Sequence, residues 1–262
     1  MTSTLASYGL ITRDLAASLA RTASDPVNAR ETRYFQDNIG SVTSIDDFLG
    51  NQRLYAYAMK AYGLEDVTYA KALVRKVLTE GVDSATSLAN RLTDDRYTAF
   101  ATAFDFKRYG AATTSDAKLQ TQTVDAYLRQ SLEGDAGDAD TGVRLALYFA
   151  RKAPGLTSAY GILGDAALTQ VANTVLGLPA TSGAATSGAL ERRAAAITAK
   201  IDIASFKDPV KLDAFVKRFS AIWDARNNAA DAPVLGLFNA ADTSDGLSAD
   251  MLLSLQQIRF GR

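Results

Sequence analysis

Apolar side chains recur along most of the chain at intervals of three and four residues, the spacing that gathers them on one face of an α-helix. A typical segment has Leu54, Tyr57, Ala58 and Ala61 on one face and ends at Gly63. Serine or aspartate often precedes such a segment and glycine often follows it, as capping residues do at helix ends. No regular series of alternating strands with hairpin turns is evident. The pattern predicts an all-α protein, an array of short helices.

One helical pattern occurs twice in the chain. Residues 50–64 and 164–178 align without a gap, and the residues that recur are Gly50, Leu54, Ala58, Gly63 and Leu64, as Gly164, Leu168, Ala172, Gly177 and Leu178. A further match, shifted by 115 residues, pairs Tyr97, Phe100 and Phe104 with Leu212, Phe215 and Phe219. Apolar residues repeated at helical spacing are usually core residues, so the repeat favours a duplicated helical unit over two binding sites. We therefore expect two pseudo-symmetric helical units around a central buried helix at 143–150.

These patterns predict five segments along the chain. They are N-terminal amphipathic helices at 1–40, a first helical unit at 41–110, a linker and the central helix at 111–155, a second helical unit at 156–225, and a loose segment with a tail helix at 226–262. Stretches rich in glycine, serine, threonine, alanine or aspartate are expected to be loose, namely 112–122, 180–189 and 226–246.

The predicted tail helix has an apolar face, formed by Leu247, Met251, Leu252, Leu255 and Ile258. This face is a candidate docking surface, and two modes of docking are open. It would lie either on the body of its own chain or in a groove of a partner protein. Docking within the chain is slightly favoured, because an exposed apolar face is a liability in a free monomer.

Charge and composition exclude several classes of function. The chain has 28 Lys and Arg against 29 Asp and Glu, without the basic excess of a nucleic-acid-binding protein. No apolar run approaches the roughly 18 residues of a membrane span, so we expect no membrane insertion. Cysteine and histidine are both absent, which excludes disulfides, thiolate or histidine metal ligands, and catalysis through Ser-His-Asp or Cys-His. An enzyme would have to use carboxylates, Lys, Tyr, Ser or Arg.

The strongest candidate for a metal site is the acidic stretch at 133–142, whose carboxylates could bind Ca²⁺ or Mg²⁺. Its acids are Glu133, Asp135, Asp138 and Asp140. It does not fit a calcium-binding helix–loop–helix, because the positions that require glycine and glutamate carry Val143 and Phe149 when counted from Asp138. A solvated loop whose last acid or threonine caps the next helix is therefore favoured, and cation binding is left open. No cofactor is predicted.

Several longer stretches resemble the domain of unknown function 1217 family of alphaproteobacteria. They include SIDDFLGNQRLYAYAMKAYGLED, LANRLTDDRYTAFATAFDF, GVRLALYFARKAP, KIDIASFKDPVKLDAFVKRFSAIWD and GLSADMLLSLQQIRFG. The resemblance covers nearly the whole chain and implies an all-helical fold with internal duplication. Because members of the family often lie among flagellar genes, it also implies a role in motility. It implies no catalytic residues.

We therefore expect a non-enzymatic protein that interacts with a protein partner, as a flagellum-associated structural or assembly component. One alternative is a cytoplasmic helical adaptor or chaperone that binds a peptide or helix of another protein. A less favoured alternative is an enzyme that uses a carboxylate or a lysine. The N-terminus lacks the basic residues of a secretory signal, so we expect a cytoplasmic location, or export through the flagellar apparatus without a cleavable signal.

Overall fold

The computed structural model describes residues 3–179 and 187–227. Every regular element in these two ranges is a helix, which confirms the all-α prediction. The α-helices are α1 (Thr4–Arg13), α2 (Leu15–Ser24), α3 (Pro26–Asn38), α4 (Ile45–Gly50), α5 (Gln52–Ala61), α6 (Lys71–Glu80), α7 (Leu88–Arg91), α8 (Asp95–Ala103), α9 (Phe106–Tyr109), α10 (Ala117–Ala139), α11 (Thr141–Lys152), α12 (Ala159–Leu163), α13 (Ala166–Leu176), α14 (Ser187–Lys200) and α15 (Pro209–Asn227). Short 3₁₀ helices lie at Ile39–Ser41, Glu65–Val67, Gly110–Ser115, Ala153–Gly155 and Ile203–Lys207.

Side-chain caps begin the helices where the sequence predicts them. Asp25 accepts hydrogen bonds from the backbone N–H groups of Val27 and Asn28, and Pro26 takes the first helical position, where no N–H is needed. Ser44 caps α4 and Asp94 caps α8 in the same way. Each cap satisfies backbone donors that would otherwise be unpaired at the helix start.

Two clusters of buried apolar side chains form the interior. The first draws on residues between 35 and 127 and has an aromatic centre, in which the rings of Phe48 and Phe104 stack with their centroids 4.9 Å apart. The second consists of Tyr8 and residues between 143 and 219. The long helix α10 contacts α2 and α5 on the first side and α11 on the second. Helix α10 therefore joins the two parts of the interior.

The acidic stretch at 133–142 is not a loop, contrary to the prediction. Residues 133–139 continue α10, and Asp140 then caps α11 by accepting a hydrogen bond from the backbone N–H of Gly142 at 2.7 Å. The helix continues because Glu133 is only 1% exposed and is paired with Arg129 and Arg151. The predicted cap is confirmed, and the predicted solvated loop is wrong.

The predicted loose stretch at 112–122 is also mostly ordered. Its first part belongs to the 3₁₀ helix Gly110–Ser115, and α10 begins at Ala117. Thr114 is fully buried and its hydroxyl donates to the carbonyl of Val42 at 2.5 Å. This contact joins residues 72 positions apart, so local composition did not reveal it. Residues 180–186 and 228–262 lie outside the described part of the chain. Most of the other two predicted loose stretches, 180–189 and 226–246, therefore also lies outside it.

The repeated pattern corresponds to two helix pairs with similar ends. Ser44 caps α4 and Ser158 caps α12, and each serine begins a pair that continues into α5 or α13. Gly63 and Gly177 follow the second helix of each pair with φ values of 72° and 69°, a conformation that favours glycine. These are local similarities. The duplication of a whole unit and the division into five segments stay predictions.

No helix in the two described ranges is long and apolar enough to cross a membrane.

Candidate functional site

An open cavity of about 400 Å³ lies where the C-terminal ends of α13 and α14 meet α15. The 3₁₀ helix Ile203–Lys207 closes one side of it. The cavity is lined by Val175, Leu176, Lys200, Ile201, Asp202, Ser205, Phe206, Lys211, Phe215 and Arg218. Its volume lies within the range of about 300–1,000 Å³ that is usual for ligand sites.

Two aromatic rings form the floor of the cavity, whose accessible lining is otherwise more polar than apolar. Phe206 is 2% exposed and meets the half-buried Phe215 edge-on, with ring centroids 4.9 Å apart. Phe215 in turn stacks on Phe149 of α11 at 5.1 Å. The floor is therefore continuous with the second hydrophobic cluster, which holds these rings in place.

The rim of the cavity carries three exposed cations, Lys200, Lys211 and Arg218. Within the described residues, the charged groups of these side chains make no hydrogen bond or ion pair. The neighbouring Lys217, in contrast, pairs with Asp213 of the same helix at 2.7 Å. Asp202 contributes one negative charge, so the rim has a net positive charge.

The sequence of α15 explains how two of the cations reach the same rim. Lys211, Phe215 and Arg218 are spaced by four and three residues and therefore share one face of the helix. Leu212 and Phe219 lie on the adjacent face of the helix, which is buried. Asp208 caps the helix by accepting from the N–H groups of Val210 and Lys211, which fixes where this face begins. Lys200 arrives separately, from the C-terminal end of α14.

This arrangement suits a ligand with both an apolar part and carboxylate groups. The half-buried Phe215, backed by the buried ring of Phe206, offers contact area to an apolar side chain, and the rim cations offer charge-assisted hydrogen bonds to carboxylates. An acidic, amphipathic protein segment combines these two features. Among the described residues that line the cavity, no two carboxylates are paired, and Asp202 is the one acid available for general acid or base chemistry.

A second polar group lies in the interior, where Glu133 binds two arginines. Arg151 donates to both carboxylate oxygens of Glu133, at 2.7 and 2.8 Å, and Arg129 donates to one of them at 3.0 Å. Burial alone would lower the pKa of Arg151, but the hydrogen bonds to Glu133 outweigh it, and the pKa is raised. The Arg151 guanidinium also lies over the ring of Tyr148 at 5.1 Å. Every charge in this group is paired, so we interpret it as structural.

The acids of the candidate metal-binding stretch do not converge. Glu133 is buried in its ion pairs, whereas Asp135 and Asp138 are exposed on α10. Asp140 accepts a hydrogen bond from the hydroxyl of Thr4 at 2.6 Å in addition to capping α11. Over residues 3–179 and 187–227, no group of three or more acids could hold a metal ion.

The predicted docking face of the tail lies outside the described residues. Those side chains are Leu247, Met251, Leu252, Leu255 and Ile258. The cavity itself was missed by sequence reasoning, which treated Phe215 as one of the repeated core residues. The spacing of Lys211, Phe215 and Arg218 was a usable signal, because it mixes cations with an aromatic residue on one helical face.

The fold and the cavity define an all-helical protein with a basic, apolar-floored surface site. The family described as "Protein of unknown function (DUF1217)" matches residues 61–212, and the chain belongs to this family. The chain is also similar to a protein from Agrobacterium tumefaciens whose crystal structure is known, with 44% identity and a TM-score of 0.78. That match covers 87% of this chain and 97% of the other. A comparison with curated proteins finds no match.

Proposed function

We propose that this protein is a non-enzymatic interaction protein, a structural or assembly component associated with the flagellum, and that it binds an acidic, apolar segment of protein in the cavity at α13–α15. The observation that carries the proposal is the cationic rim above an aromatic floor, formed by Lys200, Lys211, Arg218, Phe206 and Phe215.

The rim cations have no acidic partner among the described residues and lie beside an aromatic surface, an arrangement that does little to stabilise the fold. A core aromatic is better covered, and surface cations contribute little without partners. A binding site gains from both, because the aromatic floor supplies affinity and the cations select acidic partners and speed their association.

Composition supports a role without catalysis, since histidine and cysteine are absent. The flagellar association rests on the family resemblance. The cavity would equally serve a cytoplasmic adaptor or chaperone, which differs from the first proposal in where the protein works. A location outside the cell, reached through the flagellar apparatus, belongs only to the structural component.

The test follows the tagged protein in a motile host and in a strain that lacks flagellar export. The variant is the double charge reversal Lys211→Glu/Arg218→Glu, and the matched control is Arg91→Glu/Lys118→Glu, which changes exposed cations in the first half of the chain. We expect the wild type and the control to co-purify with flagellar components and the cavity variant to be lost from them.

Export-dependent appearance outside the cell would support the structural component and contradict the cytoplasmic adaptor. Retention in the cytosol of both strains would contradict the exported component. Equal association of the cavity variant and the control with flagellar components would overturn the assignment of the cavity.

A further inference from the structure

We propose that the cavity binds a segment of its own chain, residues 242–258, which covers the aromatic floor until a partner displaces it. The inference deepens the proposed function and rests on it for the partner, but not for the contact within the chain. It starts from the solvent-facing floor at Phe215 and from the sequence that follows α15.

Charge complementarity is the first argument. Residues 228–258 contain four aspartates, Asp231, Asp242, Asp245 and Asp250, and no lysine or arginine. The cavity rim has three cations and a single acid. An uninterrupted acidic segment and a cationic rim on the same chain attract one another, whereas elsewhere the two signs are nearly balanced.

The position of the aspartates relative to apolar residues is the second argument. Leu247 lies between Asp245 and Asp250, and Met251 and Leu252 follow directly. The cavity presents the same alternation from the other side, with Phe215 between Lys211 and Arg218 on one helical face. Apolar side chains of the segment can therefore meet the floor while its carboxylates meet the rim.

The chain is long enough to make the contact. Arg218 lies nine residues before the last described residue of α15, Asn227, which corresponds to about 14 Å along the helix. The roughly 20 residues between Asn227 and Leu247 span up to about 66 Å when extended. The connection reaches the cavity with ample slack.

Tethering favours this occupant over an independent one. A segment joined to the site by a connection of this length has an effective concentration on the order of millimolar there. A separate acidic peptide must exceed that concentration, or bind more tightly, to replace it. The segment would thus set a threshold that excludes weak acidic partners.

Disulfide trapping in the full-length chain tests the contact, because the natural sequence has no cysteine. The test pair is Ser205→Cys in the cavity with Ser248→Cys in the segment. The control pair joins Ser248→Cys to Ser115→Cys, an exposed position beside the first hydrophobic cluster. Mild oxidation should give an intrachain disulfide in the test pair about tenfold faster than in the control.

The charge contribution is tested in the same assay. Lys211→Glu/Arg218→Glu should slow trapping of the test pair, as should Asp245→Lys/Asp250→Lys, and combining the two should restore it. Raising the salt from about 50 to about 500 mM should slow trapping in the wild-type background and in the combined variant, where rim and segment carry opposite charges. The control reversal Arg91→Glu/Lys118→Glu should leave the rate unchanged.

Equal trapping of the test and control pairs overturns the inference. Disulfides that form only between chains also overturn it, because they assign the cavity to a second copy. The proposed function is judged separately, by association with flagellar components. If the segment is trapped but the protein does not associate with flagellar components, only the proposed function is contradicted. If the segment is not trapped but the protein keeps that association, only this inference is contradicted.

Discussion

Arg151 donates two hydrogen bonds to Glu133, from Nε at 2.7 Å and from Nη2 at 2.8 Å, and so joins α11 to α10. The two residues lie 18 positions apart on consecutive antiparallel helices. Glu133 is 1% exposed, and Arg129 completes its shell from one turn earlier on α10. The pair is thus a polar contact between helices that contribute to the two hydrophobic clusters, and its value for stability can be measured.

Neutralising Glu133 should destabilise the protein strongly. Glu133→Gln keeps the shape of the side chain but leaves the half-buried guanidinium of Arg151 without its counter-charge, which costs about 3 kcal/mol in buried pairs. The measurement is the free energy of unfolding in urea at neutral pH. The control is Asp135→Asn on the exposed side of the same helix, where a change within about 0.5 kcal/mol is expected. Equal effects of the two substitutions would refute the structural role of the pair.

Two glycines that frame the α10–α11 junction should respond in opposite directions to alanine. A Cβ at Gly142 would overlap the indole of Trp223, whereas a Cβ at Gly134 meets nothing within 4 Å. Gly142→Ala should therefore destabilise by about 1–3 kcal/mol through overpacking. Gly134→Ala should stabilise by about 0.5–1 kcal/mol, because alanine is favoured inside a helix.

Urea unfolding measures both glycine variants, and fluorescence adds a specific signal because Trp223 is the only tryptophan. The emission should change in Gly142→Ala and not in Gly134→Ala. A Gly142→Ala protein with wild-type stability and emission would mean that α11 and α15 separate without loss, contrary to the close packing at this point.

Asp94 should make stability depend on pH in the acid range. Burial opposes its ionisation, but hydrogen bonds from the backbone and side chain of Arg96 outweigh that effect and lower the pKa of Asp94. Because the folded pKa lies below the unfolded one, the contribution is complete above about pH 4 and is lost as the pH falls through the folded pKa. Since the pair is partly exposed, the contribution should not exceed about 1 kcal/mol.

The test of that dependence compares wild type with Asp94→Asn, which can still cap α8 but cannot pair as an anion. The difference in unfolding free energy should be constant from neutral pH down to about pH 5 and should shrink below about pH 4. The exposed Asp138→Asn serves as the control. A difference that widens in acid would contradict the sign of the lowered pKa.

Local sequence signals were sufficient for the fold class and for the starts of α3, α4 and α8. Asp25, Ser44 and Asp94 act on backbone groups two or three residues away, so their roles can be read from adjacent letters. The helical course of 133–139 could not be read in this way. It depends on Arg151, which lies in the next helix, and local composition rich in glycine and aspartate suggests a loop instead.

The cavity could be predicted only in part, for the same reason. The stripe of Lys211, Phe215 and Arg218 belongs to one helix and follows from periodicity. Lys200 and Phe206 reach the site from α14 and from the following 3₁₀ helix, and their convergence depends on how these elements pack against α13. A single sequence specifies which side chains share a helical face, but not which faces meet.

Reversing the cavity charges should change binding without changing stability, which separates a functional site from a structural one. Lys211 and Arg218 are exposed, and neither side chain has an acidic partner among the described residues, so Lys211→Glu/Arg218→Glu should alter the free energy of unfolding by about 0.5 kcal/mol or less. Lys217→Glu is the matched comparison on the same helix, because it breaks the pair with Asp213 and creates a like-charge contact. It should cost at least as much stability, yet it should leave association with a partner unchanged. If the double reversal instead unfolded the protein, the cations would have a structural role, and the proposal that the cavity is a binding site would be contradicted.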